Sequence, residues 1–171
     1  MNETIKNIIE RRSIRNFNQK KIKREDLELI VECAIHSPSA RGLDTYRFIV
    51  INNDEMIDEL IKIMRKLLND DNYTMYHPKA LIIPTNKKDN PYAIEDNACA
   101  LENIFIAAKS LDIGSVWINQ LRNYNDTQEL RDYLSKFNVD DTMMVTGIAA
   151  LGYTDEKPKV KNRLGQYQIF E

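Results

Sequence analysis

The sequence predicts an α/β or α+β sandwich, with a central sheet flanked by helices. Three observations predict it. Runs with helical apolar spacing alternate with short apolar runs of strand character, after an opening pair of helices. One long helix, Tyr92–Leu111, is apolar around most of its circumference and therefore needs cover on more than one side. No repeat, low-complexity tract or linker divides the 171 residues, so a single domain over 1–171 with one sizeable core is expected.

The elements follow in order. Ile5–Arg11 reads as a short amphipathic helix carrying Ile5, Ile8 and Ile9, and Ile14–Phe17 as a connecting turn. Lys23–His36 is a second helix, with Leu27, Ile30, Val31 and Ala34 at helical spacing. Ser37–Gly42 breaks it, because Pro38 cannot continue the ladder. Tyr46–Ile51 reads as a buried strand, Asp54–Leu68 as a third helix, Asn69–Asn72 as a polar loop and Ala80–Pro84 as a short apolar strand. After a polar loop at Lys87–Asn90 comes the long helix. Its polar positions Glu95, Asp96, Glu102, Asn103, Lys109 and Ser110 fall on one stripe covering about a third of the surface. A subunit partner is one source of the burial such a helix needs. Ser115–Asn119 reads as a strand, Thr127–Leu134 as a helix and Met143–Tyr153 as one further strand, with a charged tail from Thr154 to Glu171.

Composition narrows the function. A hydrophobic fraction of 43% and a charged fraction of 29% describe an ordinary globular protein. The net charge of −2 argues against general nucleic-acid or membrane-surface binding, which shows as a basic excess. No apolar stretch is long enough to span a bilayer, and the first twenty residues are charged without a signal-like apolar run. Two cysteines, Cys33 and Cys99, are too few for a disulfide framework; set among apolar residues, they read as buried thiols, and a cytoplasmic setting is expected. No glycine-rich dinucleotide or P-loop signature occurs.

Chemistry concentrates in four segments. Arg11-Arg12-Ser13-Ile14-Arg15 follows the first helix. Guanidinium forks match phosphate oxygens two at a time, and a serine hydroxyl adds a small donor. Read alone, the run is equally a solvated basic turn. Ser37–Gly42 joins a helix to a buried strand, so its amides can face a ligand, or it is an ordinary turn. In Leu111–Ile118, Gly114 ends the apolar helix and small residues follow, which lets a flat ligand approach the backbone; alone this is a helix cap, and Trp117 alone reads as core. Lys157–Arg163 is a basic run that by itself is a solvated tail. His36 and His77 are isolated, so neither a metal set nor a nucleophilic triad can be argued.

Taken in order, the four segments resemble the FMN-dependent nitroreductase family, over nearly the whole chain. The resemblance implies an α+β, nitroreductase-like sandwich with a central mixed sheet flanked by helices, and an intertwined homodimer with FMN at the subunit interface. It matches Arg11, Arg12 and Ser13 to the positions holding the FMN phosphate and ribityl chain, and Arg15 to a basic residue near the N1–C2 edge of the flavin. Pro38, Ser39, Ala40 and Gly42 match the loop lent by the other subunit. Gly114 and Ser115 match the segment passing the ring near N5 and O4, and Lys161 and Arg163 a basic pair on the phosphate. The implied activity is an NAD(P)H oxidoreductase that takes hydride from NADH or NADPH onto flavin N5. It then passes hydride to an electron-poor small molecule, a nitroaromatic or a quinone, by a ping-pong route; no side chain is assigned as catalytic. A relative with another task, reductive dehalogenation or flavin oxidation, is the alternative within the family. A small nucleic-acid-binding module is the alternative outside it, and the net charge weighs against that.

The sequence departs from the family's pattern in one loop. Gly42 stands where asparagine is usual, Asp44 where glutamine is usual, and Thr45-Tyr46 where Pro-Trp is usual. A carboxylate near the ring would disfavour an anionic reduced flavin, so Asp44 is expected to lower the potential.

Overall fold

The computed structural model describes residues 1–158 and 163–171. Its five helices are α1 (Glu3–Glu10), α2 (Arg24–Ile35), α3 (Asp54–Leu68), α4 (Ala93–Ser110) and α5 (Gln128–Ser135). Its strands are β1 (Arg47–Ile51), β2 (Ala80–Lys87), β3 (Gly114–Ile118), β4 (Met143–Val145) and β5 (Ile148–Gly152). The sheet runs β1-β2-β5-β3, with β4 also paired to β2. All these ladders are antiparallel. The expected mixed sheet is corrected accordingly: among the described residues the parallel contact is an isolated bridge, Ser13 to Ser115.

Strand alternation sorts the core into two layers. Leu81 and Ile83 of β2, with Ile49, Ile51, Val116, Ile118 and Ala150, face Ile57, Leu60, Ile61 and Met64 of α3 and Leu130, Tyr133 and Leu134 of α5. Ala80 and Ile82, with Ala149 and Leu151, face Leu27, Ile30 and Ala34 of α2 and Leu101, Ile104, Phe105, Ala107 and Ala108 of α4. Helix α3 is bounded by an asparagine at each end. Asn53 Oδ1 accepts from the Met56 amide at 2.9 Å, an N-cap worth about 1 kcal/mol, and Asn69 closes α3 in the left-handed region at φ 50°.

Two strands differ from the expected ones. β2 continues through Pro84 to Lys87. Ala80–Ile82 pair with β5 and Thr85–Lys87 with β4, so Pro84 falls between the two partners, where no ladder bond on that side requires its missing N–H. The single strand expected over Met143–Tyr153 is split at Thr146–Gly147, where Thr146 accepts from Asn97 Nδ2 at 3.1 Å and the Trp117 indole packs over Gly147.

Burial departs from expectation in four places. The strand expected to be buried at Tyr46–Ile51 leaves Arg47 and Val50 exposed. Cys33 and Cys99 are exposed, because both lie on the outer side of the α2–α4 pair. Trp117 is 38% exposed, since β3 is an edge strand; its indole packs against Phe105 and Gly147. Asp96, placed on the polar stripe of α4, is 2% exposed, whereas Ile94 on the same helix faces out. No described helix is long and apolar enough to cross a membrane.

Between α1 and α2 the chain lies across the β3–β5 edge. The Ile14 amide donates to Ser115 O at 2.9 Å and the Asn18 amide to Tyr153 O at 2.8 Å. Both contacts need glycines beneath. A Cβ on Gly114 would sit 3.0 Å from Ile14 Cγ2, and one on Gly152 would sit 2.8 Å from Phe17 Cβ. Gly152→Ala is therefore expected to destabilise the fold by about 1–3 kcal/mol through overpacking. Thermal denaturation would show a fall of about 2–4 °C per kcal/mol at this size; an unchanged Tm would mean that Phe17 moves aside freely.

Candidate functional site

The pinned strip brings two of the four predicted segments together. Arg11 caps α1, its amide donating to Asn7 O at 2.9 Å, and Ser13 then pairs with Ser115 of β3. Arg11, Arg12, Gly114 and Ser115 consequently line one cavity of about 260 Å³, with Glu10, Lys109 and Asp112 around it. The far wall is Thr154, Glu156 and Pro158, so the chain leaves this cavity toward the C-terminal basic run. Lys161 lies outside the described residues, and Arg163 is exposed.

The arginines at this cavity are only partly satisfied. Arg12 Nη1 donates to Ile9 O at 2.7 Å, yet its Nε is buried without a partner. Arg11 Nε lies 3.5 Å from Glu102 Oε1 but makes no hydrogen bond, and its guanidinium stands 5.8 Å from the Phe105 ring centroid. Lys109 contributes a third cation, held loosely at 3.9 Å from Glu10 Oε2. Buried donors left open in this way point to an anionic oxygen acceptor. Lys109 reads from sequence as part of a solvated stripe; its side of α4 becomes a cavity wall only once the strip is laid down.

Arg15 does not join this cavity. On the strip it stands exposed, whereas Ile14 and Phe17 are buried in the core, and its guanidinium lies 5.7 Å from the centroid of the Tyr76 ring. Tyr76 is the middle of three consecutive non-glycine residues in the left-handed region, Met75 (φ 50°), Tyr76 (φ 66°) and His77 (φ 52°). Each such residue costs on the order of 1–2 kcal/mol. Backbone conformation of this kind has no sequence signal, and Tyr76 is a site residue that sequence reasoning misses.

The Pro38–Gly42 segment sits at the opposite end of α4. A short 3-10 turn, Ala40–Gly42, carries Arg41 at φ 58° and Gly42 at φ 62°. The Ala40 amide donates to Asp96 Oδ1 at 2.9 Å, and the Asp44 amide donates to Ser39 Oγ at 3.0 Å. Asp96 is the end of a buried polar chain. Asn90 Nδ2 donates to Asp96 Oδ2 at 3.1 Å and to Thr45 Oγ1 at 2.9 Å, and the Thr45 hydroxyl donates to Asn86 Oδ1 at 2.6 Å. Thr45, one of the sequence's departures, thus has a structural use. Tyr46 donates to Ile35 O at 3.0 Å; burial pushes its phenol above the ordinary range, its bond toward Ser37 opposes this, and the Asp44 and Asp96 carboxylates add to the rise.

Asp96 and Lys109 are thirteen positions apart on one helix, which is about 20 Å. The loop and the arginine cavity of one chain are therefore held apart by α4.

An α+β sandwich with an arginine-lined cavity beside a sheet edge is the class that this geometry defines. The Nitroreductase family model matches residues 8–153, and the chain belongs to that family. A protein of Archaeoglobus fulgidus, provisionally named an NADH dehydrogenase/NAD(P)H nitroreductase, is 32% identical over 92% of this chain and 89% of its own length. An NADPH-flavin oxidoreductase of Vibrio harveyi is 25% identical over 99% of this chain and 73% of its own. The crystal structure of a nitroreductase with bound FMN from Bacteroides fragilis superposes with a TM-score of 0.91 at 33% identity, covering 100% of both chains.

Asp96→Asn tests the loop anchor. Both carboxylate oxygens accept, and an amide offers only one acceptor, so one donor is stranded whichever way it turns. The expected loss is about 1–3 kcal/mol in denaturant unfolding, with faster tryptic cleavage after exposed Arg41. Wild-type stability together with a wild-type cleavage rate would show that Asp96 does not hold the loop.

Proposed function

We propose that this chain is an FMN-dependent NAD(P)H oxidoreductase, built as a homodimer from one FMN-binding unit over residues 1–171. The observation that carries the reading is the pair of buried, unpartnered arginine nitrogens, Arg11 Nε and Arg12 Nε, in the cavity beside Gly114–Ser115. A phosphate monoester fits them: it is doubly charged, it accepts in forks, and Lys109 adds a further cation. Relatives named as NAD(P)H nitroreductase and NADPH-flavin oxidoreductase, and an FMN-bound structural neighbour, support the same cofactor and donor.

Bound FMN would supply the hydride chemistry, between NADH or NADPH and an electron-poor acceptor such as a nitroaromatic or a quinone. The protein's part is to bind and orient. Arg11, Arg12 and Ser13, with Lys161 and Arg163, hold the phosphate and ribityl chain. Gly114 and Ser115 let the cofactor lie close to the backbone, and Arg15 offers positive charge at the N1–C2 edge.

Pro38, Ser39, Ala40 and Gly42 serve the site of the other subunit. The separation along α4 supports this, because a loop about 20 Å from the arginines of its own chain reaches a second site more readily. Exposed apolar surface supports the dimer as well. α1 buries no residue of its own and exposes Ile5, Ile8 and Ile9, and α4 exposes Ile94. In the tail, Leu164, Tyr167, Ile169 and Phe170 are all exposed, more apolar surface than a monomer leaves in water without use.

Absorbance spectroscopy of the purified protein tests the reading. Flavin bands near one FMN per subunit, bleaching with anaerobic NADH or NADPH, are expected, whereas a protein that FMN cannot reconstitute would sink it. Arg11→Ala should weaken FMN binding by about 10–100-fold, the worth of a charge-assisted bond. In the partner-facing loop, Asp44→Asn should raise the midpoint potential of the flavin, and an unchanged midpoint would remove Asp44 from the redox argument.

A further inference from the structure

We propose that Tyr76 is a positioning residue: its ring holds the Arg15 guanidinium in place and so strengthens the site's preference for reduced over oxidised FMN. The proposal rests on the FMN reading above.

The Tyr76 backbone is held locally. The His77 amide donates to Thr74 O at 2.9 Å, and the Tyr76 amide to Thr74 Oγ1 at 3.2 Å. Met75, immediately before it, is 1% exposed and packed in the main core, and Pro78 is buried. Three left-handed residues in succession persist only where the surroundings over-determine them. Here the core seats Met75, and Tyr76 is left half out, presented to the strip.

The Arg15 backbone is fixed as well. It lies between Ile14 and Asn18, both bonded to the β3–β5 edge. Its side chain is the free part. Among the described residues no carboxylate pairs with it, and its partner is the Tyr76 ring at 5.7 Å, within cation–π range. A guanidinium on an exposed, unpartnered stem spreads its charge over many rotamers, whereas one held over a ring keeps it at one place. The place matters because a cation fixed at the N1–C2 edge stabilises the negative charge that reduction puts there. Tyr76 thus tunes the cofactor without touching it.

The test uses the full chain loaded with FMN, as wild type, Tyr76→Phe, Tyr76→Asn, Arg15→Gln and the Arg15→Gln/Tyr76→Asn double variant. Asparagine removes the ring but tolerates the left-handed backbone, and phenylalanine keeps both ring and anchor. The readouts are the two-electron midpoint potential and the dissociation constants of oxidised and reduced FMN. Tyr76→Asn is expected to cut the preference for reduced FMN about twofold to fivefold, a downward shift of about 10–20 mV. Tyr76→Phe should stay at the wild-type value, and Tyr76→Asn should add nothing once Arg15 is gone. No shift, an upward shift, or the same shift in the Arg15→Gln background would overturn the inference. Wild-type protein that takes up no FMN would overturn the cofactor reading instead, so the two failures are distinguishable.

Discussion

Everything at this site depends on how closely residues 13–18 approach the β3–β5 edge. Two backbone hydrogen bonds pin the strip, Ile14 to Ser115 and Asn18 to Tyr153, and the absence of a side chain at Gly114 and Gly152 lets it reach them. Burial along the strip is uneven: Ile14 and Phe17 are buried, and Ser13, Arg15 and Asn16 are exposed. Ile14 and Phe17 enter the core, which supplies the energy that holds the strip down. Ser13 and Arg15 are left at the surface. Arg11 and Arg12, just before the strip, arrive beside Gly114 for the same reason. The basic motif becomes a site because the apolar residues interleaved with it are buried.

The second organising element is α4, which acts as a spacer. Its C-terminal half provides Phe105 beneath Arg11 and Lys109 at the cavity wall. Its first turns provide Asp96 and Asn97, the buried ends of the polar chain that fixes the Ser39–Gly42 turn. A buried carboxylate with no cation beside it is tolerable only if its oxygens are well satisfied. The Ala40 amide and the Asn90 amide do that, at the price of fixing the loop. The same helix thus sets the arginine cavity, the loop and the distance between them.

Much of this was legible in the sequence, and the failures share a cause. The three-layer pattern followed from apolar period: α3 matched Asp54–Leu68, and β2 alternates its side chains between two cores. The motif residues Arg11, Arg12, Gly114 and Ser115 were identifiable by type and order, and the fold brings them to one cavity. What was not legible depends on neighbours remote in the chain. Asp96 looks like a surface residue by helical position, and only the arrival of Ala40 from 56 residues away buries it usefully. Cys33 and Cys99 sit among apolar residues yet face outward, because the α2–α4 contact uses the adjacent positions. Pro84 reads as a strand end, and it is tolerated mid-strand only because β2 changes partners there. Local pattern reports burial of a face; it does not report which partner buries it.

Charge at the cavity is balanced in a way that suits a bound anion. Two of the cations have a carboxylate near them, but at distances too long for a good hydrogen bond: 3.5 Å for Arg11 with Glu102 and 3.9 Å for Lys109 with Glu10. Exposed pairs of this kind contribute little stability. A phosphate meets different terms. It presents oxygens that a guanidinium fork engages two at a time, and it reaches buried nitrogens that the carboxylates leave open. On the proposed reading, a bound phosphate would exchange these weak pairs for stronger charge-assisted bonds. Arg15 follows the same logic with a different partner. If Arg15 stands at the flavin edge as proposed, a carboxylate there would cancel the charge that the edge is to feel, whereas an aromatic ring holds the guanidinium and leaves its charge in place.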